Sequence, residues 1–121
     1  MQIKSYKNLI VWQKAIELVV SIYELTESLP KSEIYGLTSQ MRRSSVSIPS
    51  NISEGSLRGT RKDYCHFIST SFGSGGELET QIEVLKRLPF GRNLDYSKSE
   101  KLLDEVMKML NVLIQKLKTE N

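Results

Sequence analysis

The segment Gln40–Gly55, QMRRSSVSIPSNISEG, keeps a helical pattern straight through a proline. Leu37, Met41, Ser44, Ile48 and Ile52 recur at spacings of three and four, which marks one helix face. Arg43, Ser47, Asn51, Glu54 and Arg58 form a second line on another face, with Gln40 at its upper end. Pro49 removes the N–H that would bond to the Ser45 carbonyl, so a kink is expected there. A strand cannot carry this period, and a helix with one apolar face and an ordered polar stripe suits packing against other helices. The chain must therefore be built from packed helices.

The rest of the sequence agrees. Helix 1 is expected over about 8–28, ended by Leu29-Pro30. It carries one apolar stripe of Leu9, Trp12, Ile16, Val19 and Tyr23, and another of Val11, Ala15, Leu18, Ile22, Leu25 and Leu29. A bundle helix needs only one apolar face. Deep burial or a subunit contact would use the second, and symmetric self-association is the commoner solution for a small bundle. Candidate interface residues, drawn from both stripes, are Val11, Trp12, Ala15, Leu18, Ile22 and Tyr23.

Helix 2 is expected over about 35–57, stopped by Arg58-Gly59. Thr60 through Asp63 reads as a capping-box-like start for helix 3, over about 61–88. Its stripe of Tyr64, Ile68, Ser71, Gly75, Leu78, Ile82 and Leu85 has a glycine-rich middle, Gly73-Ser74-Gly75-Gly76. Each glycine costs about 1 kcal/mol in a helix interior. A phosphate-binding loop would need a preceding strand and a GK[ST] or GxGxxG pattern, which are absent. Close approach of the serine-rich middle of helix 2 explains the glycines in a continuous helix; a kink is the alternative. The segment 89–96 reads as a linker, and Ser97-Lys98-Ser99-Glu100 as a capping box for helix 4, over about 98–118. The expectation is one all-α domain over 1–121, an antiparallel up-down-up-down four-helix bundle.

Composition narrows the function. The chain of 121 residues has 39% hydrophobic and 26% charged residues, the make-up of an ordinary globular domain. No apolar run approaches the ~20 residues of a membrane span, and the first residues lack a signal-peptide layout, so a cytoplasmic location is expected. The single cysteine, Cys65, fits a reducing compartment. A net charge of +3 permits an acidic partner such as RNA. Phosphate-contact candidates are Arg42, Arg58, Arg61, Lys62, Lys86, Arg87 and Arg92; solubility is the bland alternative. The Arg43, Ser47, Asn51, Glu54, Arg58 stripe has three readings: a buried network completed by Glu77 or Glu79, a subunit interface, or an RNA contact.

Catalysis finds little support. Cys65 and the only histidine, His66, are adjacent and so point about 100° apart on a helix. No metal or cofactor is expected, because the chain lacks soft ligands for zinc and the Glu-x-x-His of carboxylate metal bundles.

The motifs Leu9–Ala15, Glu33–Arg43, Ser47–Gly55, Gly73-Ser74 and Glu77–Gln81 together resemble a bacterial four-helix-bundle family. Its members are often encoded in intervening sequences of large-subunit ribosomal RNA genes, and some carry a small-subunit ribosomal label. The resemblance spans most of the chain and is most specific in SIPxNIxEG. It implies a homo-oligomeric ring of five subunits. It also implies kinship with the accessory protein of diversity-generating retroelements, a basic barrel that looks like a nucleic-acid partner. The reading is a non-enzymatic scaffold binding RNA or an RNA–protein complex; the alternative is a protein assembly factor without nucleic-acid affinity.

Overall fold

The computed structural model describes residues 5–119. Four helices carry the fold: α1 (Ile10–Thr26), α2 (Leu37–Leu57), α3 (Arg61–Arg87) and α4 (Ser97–Thr119). Short 3₁₀ turns, Tyr6–Asn8, Lys31–Glu33 and Pro89–Gly91, precede α1, α2 and α4. Side-chain pairs across the helices fix an antiparallel order. Trp12 meets Ser53, Ser47 meets Ser74, and Ser21 meets Ser99. Helices α1 and α3 sit on the diagonal, each packed on α2 and α4. The chain is an all-α four-helix bundle, and no strand occurs among the described residues.

The core follows the expected stripes. Ala15, Leu18, Ile22, Met41, Ile48, Ile52, Ile68, Leu78, Leu85, Val106 and Leu110 are fully buried. Burying such side chains contributes roughly 1.5–3 kcal/mol each. Pro49 is buried inside α2, and the helix continues on both sides of it. Gly59 adopts φ +90°, a left-handed conformation that suits glycine, and ends α2. The Thr60 hydroxyl then accepts from the Asp63 N–H and starts α3.

Helix α3 is continuous through its glycines, but the expected reason for them changes. Gly75 faces α4, where a Cβ would collide with the Met107 sulfur, and Gly73 and Gly76 face open space. The close approach of α2 and α3 is made instead by serines and by Gly55, which lets Tyr64 and Phe67 close onto α2. Three hydroxyl bonds cross that seam: Ser44 Oγ to Glu77 Oε1 at 3.0 Å, Ser47 Oγ with Ser74 Oγ at 2.8 Å, and Ser71 Oγ to the Ile48 carbonyl at 2.8 Å.

The start of α4 also differs from expectation. Ser97 does not cap; its N–H and hydroxyl both donate to Asp95 Oδ1. These bonds hold the Asp95 carboxyl below its usual range. Ser99 is buried against Ser21, and Glu100 turns to Lys86. The buried Tyr96 hydroxyl donates to the Gly91 carbonyl at 2.6 Å and anchors the turn before α4.

Candidate nucleic-acid interface

Antiparallel packing sorts the basic candidates into two groups. Arg58, Arg61 and Lys62 lie where α2 ends and α3 begins. Lys86, Arg87 and Arg92 lie where α3 ends and α4 is approached. At 1.5 Å per residue, Lys62 and Lys86 are about 36 Å apart along α3. They do not form one face. Arg42 lies in the half of the bundle that holds Lys86.

Several of these cations are committed within the protomer. Arg42 Nε donates to Thr26 Oγ1 at 2.9 Å, its terminal nitrogen donates to the Tyr23 carbonyl at 3.3 Å, and the guanidinium lies 4.4 Å from the Tyr23 ring centre. It therefore fastens α2 to the carbonyl end of α1, where a cation also meets the negative pole of the helix. Lys86 bonds to Glu100, which raises its pKa, and lies 5.4 Å from the Tyr96 ring centre. Arg87 sits 3.8 Å from Glu83. Arg58 pairs with Glu54 at 2.9 Å and stacks on Phe67 at 4.9 Å, yet remains half-exposed.

Charge is distributed unequally between the two halves of the bundle. The half built from the starts of α1 and α3 and the ends of α2 and α4 holds Lys7, Lys14, Arg58, Arg61, Lys62, Lys116 and Lys118. Glu17, Glu54 and Asp63 are the carboxylates among the described residues there, and Glu105 reaches from the other half to pair with Lys14 at 3.2 Å. In the other half carboxylates slightly outnumber cations, led by Glu77, Glu79, Glu83, Glu100, Asp104 and Glu105. The net +3 of the chain is therefore carried at one end.

Two adjoining hollows open at this basic end. One, of about 620 Å³, is lined by Tyr6, Asn8, Leu9, Gly55, Ser56, Thr60 and Tyr64 among others. The second, of about 610 Å³, is lined by Lys62, Cys65, His66, Ser69 and Lys118. Arg61 and Leu117 belong to both. Tyr6, Asn8, Tyr64 and Lys118 do not stand out as site residues in the sequence. No spacing reveals them, because the ends of four helices bring them together.

The polar stripe of α2 divides. Ser47 and Asn51 are bonded to each other and, through Ser47, to α3, while Glu77 receives Ser44. Glu54 pairs with Arg58 at the surface. Arg43 and Glu79 are exposed and lie outside these bonds. Of the interface candidates, Val11, Ala15, Leu18 and Ile22 are buried in the protomer's own core, so they cannot also meet a second subunit. Trp12 is half-buried and donates to Ser53 Oγ at 3.0 Å. Tyr23 lies outside, on an α1 surface with Ile16 and Val20, which are 42%, 37% and 51% exposed.

Among the described residues no group of His, Cys, Asp and Glu could hold a metal ion, and Cys65 and His66 do not bond to each other. No described helix is long and apolar enough to cross a membrane.

Comparison with known proteins agrees with the helical fold. No curated protein matches the chain. A crystal structure at 1.70 Å of a protein of unknown function from the S23 ribosomal protein family of Bacteroides thetaiotaomicron VPI-5482 superposes with a TM-score of 0.74. The two are 24% identical over 87% of this chain and 98% of that one, a likeness of fold. The family model described as 23S rRNA-intervening sequence protein matches residues 7–112. The chain belongs to the 23S rRNA-intervening sequence protein family.

Proposed function

We propose that this protein is a non-enzymatic helical scaffold that assembles with copies of itself and presents its basic end to RNA. The one-ended charge carries the reading. A polyanion releases counterions for each phosphate neutralised, so clustered cations are worth more than the same charges dispersed. In a closed assembly the basic ends repeat, and affinity multiplies without new contacts. Phosphate contact is assigned first to Lys62 and Lys118, which line the second hollow with Arg61; Arg58, Lys86 and Arg87 are each paired with a carboxylate.

The test is fluorescence anisotropy with labelled RNA over a salt series, with oligomer mass measured in parallel. Neutralising Lys62 and Lys118 should lower both affinity and salt slope, by about one unit of slope for each phosphate that is no longer neutralised. Neutralising Lys86 and Arg87 should change neither. Equal effects from both pairs, or no binding at low salt, would refute the assignment. A protein assembly factor without nucleic-acid affinity is the second reading. It is supported by the hollow of Tyr23, Ile34 and Val46 between α1 and α2, whose rim carries Arg43.

A further inference from the structure

Resting on the RNA reading above, we infer that the hollow between Tyr6 and Tyr64 takes one unstacked base of a single strand, with the sugar–phosphate chain leaving along Lys62 and Lys118. Four observations carry this. The hollow is about 620 Å³, within the range of small-ligand sites. Two tyrosines line it, and aromatic faces accept any base by stacking. The Asn8 amide makes no hydrogen bond to the described residues, leaving both its donor and its acceptor for a base edge. Arg61 joins this hollow to the basic one, so a base site and a phosphate track are continuous.

A duplex cannot use the hollow, since its bases are stacked and paired; sequence-tolerant proteins for single strands combine these same two elements. Both tyrosines keep part of their ring exposed, although Tyr64 also packs against the core. Tyr6 lies in a 3₁₀ turn, edge-on to Trp12 at 5.4 Å, and Tyr64 is partly buried at the seam with α2. Trp12 is the only tryptophan and touches Tyr6, so its fluorescence reports on that wall of the hollow.

The probes are an RNA strand of roughly a dozen nucleotides, an abasic strand of equal charge, a duplex of equal phosphate count, and adenosine monophosphate. The intact strand should bind about tenfold more tightly than the duplex or the abasic strand, and should change Trp12 emission. Tyr6→Leu and Asn8→Ala, with circular dichroism confirming the fold, should remove that preference and keep the salt slope. Equal affinity for intact and abasic strands overturns the base site while the charge reading stands. Absence of salt-sensitive binding to every probe overturns both. If adenosine monophosphate binds as tightly as the strand, the occupant is a free nucleotide and the single-strand assignment fails.

Discussion

Replacing the glycines of the bundle one at a time by alanine should separate two kinds of small residue. At Gly73 and Gly76 an added Cβ meets nothing within 4 Å, and both sit in the interior of a 27-residue helix. Alanine is favoured over glycine there by about 0.8–1.0 kcal/mol, mostly through the entropy of the unfolded chain. Gly73→Ala should thus raise the free energy of unfolding by about 0.9 kcal/mol, or roughly 4 °C in Tm for a domain of this size. At Gly55 the added Cβ would lie 2.8 Å from Phe67 Cβ and 3.1 Å from Tyr64 Cδ1. Separating α2 from α3 to relieve this costs about 1–3 kcal/mol, which meets or exceeds the propensity gain. At Gly91 the added atom would run into the Leu85 carbonyl oxygen, a backbone atom that cannot step aside. Urea unfolding followed by circular dichroism should rank Gly73→Ala and Gly76→Ala above wild type, Gly55→Ala at or below it, and Gly91→Ala last. A destabilised Gly73→Ala would refute the reasoning, because it would show that a second surface covers the open face of α3.

Ile16→Lys combined with Val20→Glu should leave the protomer folded and reduce oligomer mass by light scattering; an unchanged mass would remove this α1 surface from the assembly. Arg42→Ala should cost about 1–2 kcal/mol, because it loses the Thr26 and Tyr23 bonds and the ring contact, yet leave RNA affinity unchanged. Ser71→Ala should cost about 1 kcal/mol by denaturant unfolding, since it deletes a buried bond to the Ile48 carbonyl. Burial raises the Tyr96 pKa above 10.0, and its hydrogen bond to Glu100 raises that of Lys86 above 10.5. Both groups favour their protonated forms when folded. Their stabilisation is present through neutral pH and should fade as pH climbs above 10, and Tyr96→Phe should shrink that alkaline fall in Tm.

The four helices were legible because their core positions repeat at a period only a helix can bury. Boundaries moved where polar side chains chose other partners. Ser97 reads as a cap by pattern, but Asp95 takes its N–H and hydroxyl. Helix 1 begins later than expected because Ser5 caps a separate turn over Tyr6–Asn8 and Leu9 is extended. Arg42 shows why the basic candidates were hard to sort. Nothing local says that the end of α1 lies across from it, and that neighbour turns a surface charge into a fastening. The hollow at the basic end was illegible for the same reason, since Asn8, Tyr64 and Lys118 meet only through the antiparallel order of the helices.

The hydroxyl seam between α2 and α3 has a mechanical consequence. Apolar ridges can slide along one another with modest loss, but hydrogen bonds between opposed serines work only at one setting. Sliding α3 by a single residue, about 1.5 Å, would lengthen bonds of 2.8–3.0 Å lying across the seam to roughly 3.2–3.4 Å and weaken all three at once. The pair therefore behaves as a toothed rack with a preferred register, and shear along this contact is opposed by three bonds together. Two walls of the hollow, those that come from α2 and α3, thus keep one register with each other.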